Sequence, residues 1–174
     1  MKRILLSLIT ATMLIGGFAY LASASGQPAG KGSVNSDVDL PSGYRDWRLI
    51  SVAHEAGELN DIRAVLGNDA AIKAYREGTL PFPDGAIIAR LAWRYEPSEE
   101  NNKIFGGTQS FVAGAPVNGI QFMVKDSKKY ASTGGWGFAQ FDDGKPMTDP
   151  ARLHACFACH ERVDRDLVFT RYSP

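Results

Sequence analysis

The chain has 174 residues, with 19 Lys+Arg against 19 Asp+Glu, 44% hydrophobic residues and 22% charged ones. That length suits one domain rather than two, and the composition excludes a chain disordered throughout. The charge balance argues against a nucleic-acid binder, which needs surplus Lys and Arg to displace counterions from phosphate; without Lys2 and Arg3 the positives fall from 19 to 17 against the same 19 negatives.

Met1-Lys2-Arg3 is a short basic start, the stretch from Ile4 to Ala22 is almost wholly apolar, and Ala22-Ser23-Ala24 supplies small residues at a cleavage-type ending. This order predicts an export signal over 1–24. An uncleaved anchor competes with it, because the run is long enough to span a bilayer. Gly16-Gly17 and the small-residue ending favour removal, and either reading puts the domain outside the cytoplasm, in the periplasm. Residues 25–39 hold Gly, Ser, Pro and Asn and are predicted to be a flexible lead-in to a domain over 40–174.

Within that domain, 46–53 has strand propensity, with Trp47, Leu49, Ser51 and Ala53 on one face. Asn68-Asp69 can cap a helix over 70–77 that Gly78 ends. Pro81-Phe82-Pro83-Asp84-Gly85 is a turn into the clearest strand, 86–95. There Ile87, Ala89, Leu91 and Trp93 share one face, and Ile88, Arg90, Ala92 and Arg94 the other. The polar, Gly-rich stretch 96–108 is expected to be loop. A strand over 119–124, one helical turn over 127–131, a turn at Thr133-Gly134-Gly135 and a strand over 136–141 follow. Asp149 is a good N-cap and Pro150 a good first residue for a helix over 150–162, and 167–170 is expected to return as a strand. There is no internal repeat. The pattern predicts an α+β fold, mostly antiparallel sheet with a few short helices, the C-terminal helix carrying the cysteines.

A chain of this size buries enough surface to fold without staples, so its two cysteines need another reason. They stand in Cys156-Phe157-Ala158-Cys159-His160, the C-x-x-C-H pattern of c-type haem attachment. Residues three and four apart share a helix face. Cys156 and Cys159 can therefore form thioethers to one haem while His160 offers the iron a proximal ligand. A thioredoxin-type redox pair lacks its βαβ setting, zinc lacks ligands in a chain with two Cys and three His, and a short disulfide leaves His160 unexplained. An electron carrier needs a second strong ligand, for which the choices are His54, His154, Met123 and Met147. None stands out, which favours an iron with one open position.

The chain resembles the cytochrome P-460 family, which includes the cytochromes c′-beta, from about Leu40 to Tyr172. The landmarks are Leu40-Pro41 and Tyr44-Arg45-Asp46-Trp47, Phe82-Pro83-Asp84-Gly85, Lys125-Asp126-Ser127-Lys128-Lys129-Tyr130-Ala131, Gly134-Gly135-Trp136-Gly137-Phe138, the C-x-x-C-H motif and Val168-Phe169. The resemblance implies a mostly antiparallel fold, usually a homodimer, with one covalent haem c whose five-coordinate iron has the motif histidine as its protein ligand. It implies as ligand a small nitrogenous molecule or a diatomic gas such as nitric oxide, and for the P-460 members hydroxylamine oxidation with a lysine bonded to the haem. A periplasmic electron carrier is then an expected partner. The lysine's place on the strand after Phe82-Pro83-Asp84-Gly85 is taken by Arg90, a guanidinium that stays protonated and is a poor nucleophile. Arg90 could pair with a haem propionate or a bound ligand, or it could be a solvated residue beside Arg94. Lys73 falls on a separate helix, Lys125, Lys128 and Lys129 read as surface charges, and Phe82, Phe111 and Phe122 could face the haem or fill the core.

Overall fold

Six strands pair in sequence order into one antiparallel sheet in the computed structural model, which describes residues 37–173. The export signal expected over 1–24 lies outside the described residues, as does the lead-in up to residue 36. Val38 is already buried in the packed chain. The elements are β1 (Arg48–Glu55), β2 (Asp61–Gly67), α1 (Asp69–Glu77), β3 (Ile87–Pro97), α2 (Glu99–Phe105), β4 (Phe111–Lys125), β5 (Trp136–Asp142), β6 (Lys145–Pro146) and α3 (Pro150–His160). The α+β expectation holds. Among the described residues no helix is long and apolar enough to cross a membrane.

The alternation in β3 separates two cores, one on each face of the sheet. Ile88 joins Ile50, Val65, Met123, Trp136, Phe138 and Val168, with α1 residues Ala71, Ile72 and Ala74 packed beside them. Ala89 and Leu91 join Leu66, Phe122, Tyr130, Ala139 and Phe141, with Ile87 and Trp93 against them. Register enforces the split, since Ile88 faces Met123 while Ala89 faces Phe122. Gly137 matters to the second core, because a Cβ there would run into the Tyr130 ring.

Where expectation and structure part, a local cause is visible. A bulge between Leu49 and Ser51 breaks the single face expected for β1: Leu49 pairs with Leu66 and Ser51 with Val65, which lie on opposite faces. The stretch 96–108 contains α2, capped by Ser98, whose side chain accepts from the Asn101 N–H. The helical turn expected at 127–131 does form, closed by the Tyr130 N–H on Asp126 O at 3.0 Å, but it runs on into a 3-10 helix over Ala131–Thr133. The strand expected over 167–170 does not form, because Asp166 and Leu167 adopt positive φ of 49° and 63° and an extended chain cannot pass through them.

The caps of α1 were legible, and they do more than start a helix. Asn68 Oδ1 accepts from the N–H groups of Ala71 and Ile87, both at 3.0 Å, and Nδ2 donates to Gly85 O at 2.8 Å. One side chain thus ties α1 to the turn that begins β3. Asn68→Ala is expected to cost about 2 kcal/mol, the upper end for a lost N-cap, read as a lower urea midpoint at unchanged slope.

Candidate functional site

Helix α3 brings the motif together. Asp149 accepts from the Ala151 N–H at 2.9 Å and Pro150 occupies the first turn. Leu153 is buried and seats the helix against the sheet. Cys156, Cys159 and His160 then all line one cavity of about 500 Å³, within the range of about 300–1,000 Å³ usual for small-molecule and cofactor sites. Both cysteines are free thiols, Cys156 half-buried and Cys159 exposed. Burial pushes the Cys156 thiol above its ordinary pKa, so it stays protonated at neutral pH.

His160 is oriented by the chain that follows it. Its Nδ1 lies 2.7 Å from the Leu167 carbonyl oxygen. A carbonyl only accepts, so Nδ1 carries the proton and Nε2 is the nitrogen with a free lone pair. Burial lowers the imidazole pKa against the opposing pull of that bond, favouring the neutral ring that binds metal. Phe138 and Phe169 flank the ring, with centroids 5.2 and 4.9 Å away.

The sheet supplies the remaining wall. Val65, Ile88, Met123 and Phe138 are among its apolar residues, and Val168 of the C-terminal segment joins them. Beside them runs a polar chain across the strands. Buried Asp61 receives Arg63 through Nε at 2.8 Å and Arg90 through Nη2 at 2.6 Å. Arg90 Nη1 also donates to Gln121 Oε1 at 2.8 Å, and Gln121 Nε2 to Gln140 Oε1 at 3.2 Å. Glu55 lies 3.4 Å from Arg63 at the exposed end. Arg90 is only 19% exposed, so it is not the solvated residue that one reading allowed. Burial, then repulsion by Arg63, lowers its pKa, and Asp61 opposes them; a guanidinium so paired remains charged.

The other candidates scatter. His54 faces away from the cavity: it pairs with Ile62, which pairs with Trp93 of the opposite core, and its ring stacks on Tyr95 at 3.9 Å. His154 and Met147 do not line the cavity, whereas Met123 does. Lys73, Lys128 and Lys129 are exposed. Lys125 is not a surface charge: it is 5% exposed and paired with Asp166 at 2.7 Å. Phe82 packs on Trp136 and Tyr75 in the core, and Phe111 stacks on Tyr95. Phe122 borders the cavity but packs its ring against Tyr44, Trp47 and Phe141 of the opposite core. The aromatic residues beside His160 are Phe138 and Phe169, which sequence reasoning missed along with Asp61, Arg63 and Gln121. Alternation through β5 could have found Phe138, because it shares a face with Trp136 and Gln140.

Two thiols and a neutral imidazole on one helical turn, opening onto an apolar cavity with two arginines in its wall, form a donor set that fits an iron porphyrin with carboxylate arms. The class defined is a sheet-built c-type haem protein. The family model described as Cytochrome P460 matches residues 41–170, and the chain belongs to that family. No curated protein matches the chain.

Proposed function

We propose that this is an exported cytochrome carrying one haem c, joined through Cys156 and Cys159 and ligated by His160. Its iron keeps the opposite position open for nitric oxide or a related small nitrogen species. The observation that carries this reading is the convergence of both thiols and His160 on one cavity, with Nδ1 tied to the Leu167 carbonyl and Nε2 left to ligate. A bound haem supplies an iron that takes up a small ligand and exchanges electrons. The chain's own residues shape what reaches it. Val65, Ile88, Met123, Phe138 and Val168 keep that side of the cavity apolar. Arg63 and Arg90, fixed by Asp61, hold N–H donors at the cavity wall for a propionate or a polar ligand.

Hydroxylamine oxidation is the second reading, and in the resemblance it goes with a lysine bonded to the haem. Among the described residues the cavity lining holds Arg63 and Arg90 and no lysine, which favours binding without that bond. Mass spectrometry of proteolysed holoprotein is expected to find haem only on the peptide containing 156–160; a lysine peptide on the same haem would restore the oxidase. Turnover of hydroxylamine with an electron acceptor would do so independently.

The electron-carrier reading rests on Met123, the one candidate sixth ligand that lines the cavity. The ferric protein is expected to be high-spin, and Met123→Leu is expected to leave its spectrum unchanged. The ferrous spectrum is expected to change on adding nitric oxide. A low-spin ferric protein that Met123→Leu turns high-spin would replace this proposal with an electron carrier. A periplasmic carrier is the expected redox partner. The homodimer that the resemblance implies has exposed apolar residues to draw on in Ile104, Phe105, Phe111 and Val112, and sedimentation of the holoprotein tests it.

A further inference from the structure

The segment that orients His160 is itself held by a buried ion pair outside the motif. Lys125 ends β4 and is 5% exposed; Asp166, with which it pairs, is 11% exposed. Lys125 Nζ donates to Asp166 Oδ1 at 2.7 Å, to Oδ2 at 3.0 Å and to the Gly134 carbonyl at 3.1 Å, and it lies 5.0 Å from the centre of the Trp136 ring. Asp166 Oδ2 also accepts the Phe82 N–H at 2.7 Å. Every neighbour of the pair is thus a fixed part of the sheet or its turns.

Asp166 and Leu167 are consecutive non-glycine residues at positive φ, a conformation that L side chains hold only when their surroundings impose it. The turn they form aims the Leu167 carbonyl at His160 Nδ1, 2.7 Å away. Leu167 N–H is bound to Val163 O and Val163 N–H to His160 O, which closes the turn back onto the end of α3. Remove the lysine, and a buried carboxylate loses its counter-charge; the turn it pins is then free to relax.

We propose that Lys125 and Asp166 are positioning residues for the iron ligand: their ion pair locks the turn that presents the Leu167 carbonyl to His160, and so sets the strength of the imidazole–iron bond. This rests on the reading of His160 as that ligand. A ligating histidine that donates its other N–H to a carbonyl is the more basic for it. Loosening the turn makes the ligand less basic, weakens its bond to iron and stabilises the ferric state less.

The test uses matured holoprotein and two readouts, the Fe–His stretching band of the ferrous state by resonance Raman and the reduction potential. Lys125→Met and Asp166→Asn are each expected to shift the band to lower frequency and raise the potential. Ser98→Ala, which removes the N-cap of α2 and touches neither member of the pair, is expected to move neither, and Lys125→Arg, which keeps the cation, is expected to stay nearer the wild type than Lys125→Met. Should Lys125→Met fail to mature, Asp166→Asn carries the test, because it keeps the side-chain volume. An unchanged band and potential in the variants that mature, or an equal shift in Ser98→Ala, overturns the proposal. A wild-type protein with no Fe–His band, or one whose band survives His160→Ala, removes the ligand reading itself and this proposal with it.

Discussion

Replacing Cys156 and Cys159 together with alanine is expected to yield a polypeptide whose mass is that of the bare chain and whose colour, if any, is lost on extraction with acidified acetone. The two thiols lie three residues apart on α3, both at the cavity and neither joined in a disulfide. Each single variant is expected to keep one thioether and a coloured, covalent product. The double variant also tests how far the cofactor supports the fold. Val65, Ile88, Met123, Phe138 and Val168 line a cavity of about 500 Å³, and without a bound group part of that apolar wall meets water. A group bound only to the folded state stabilises by about 4 kcal/mol when present at a thousand times its dissociation constant, and a covalent tether holds it in that regime. For a chain of this size the midpoint of thermal unfolding is expected to fall by about 8–16 °C. Haem that survives denaturing extraction from the double variant would place the attachment elsewhere.

Much of the site could be read from sequence because its pieces are local. Asp149 and Pro150 announce α3, and the spacing of Cys156, Cys159 and His160 is a property of one helical turn. The alternation of β3 put Arg90 and Ile88 on one face before any fold was known, and that face is the cavity face. What escaped depends on partners far away in the chain. Lys125 looked like a surface charge because its counter-ion, Asp166, comes 41 residues later. Strand β2 had no assignment from sequence, and its charged residues Asp61 and Arg63 turn inward, where Arg90, from another strand, completes their pairing. The bulge in β1 inverted a pattern that assumed strict alternation. The strand expected over 167–170 failed because Asp166 and Leu167 turn the chain at positive φ, which commits the Leu167 carbonyl to His160 rather than to a neighbouring strand.

Asp61→Asn, behind the cavity wall, is expected to be the most destabilising single substitution in the polar network, costing about 3–5 kcal/mol, the usual loss when one partner leaves a buried ion pair. Asp61 is fully buried, and two guanidinium groups that are themselves 15% and 19% exposed converge on its carboxylate. Asparagine keeps the shape and one acceptor oxygen but removes the negative charge. Arg63 and Arg90 then repel each other with only half-exposed Glu55, 3.4 Å from Arg63, to offset them. Arg90→Met with Asp61 in place is expected to cost less, because Asp61 still holds Arg63. Combining the two changes is expected to recover part of the loss, since the double variant no longer buries two like charges together. Urea unfolding of all three variants and the parent, on haem-loaded protein, reads the coupling directly. Strict additivity would mean that Asp61 and Arg90 act independently, and the wall would then have to be understood as two separate ion contacts rather than one network built across β2, β3 and β4.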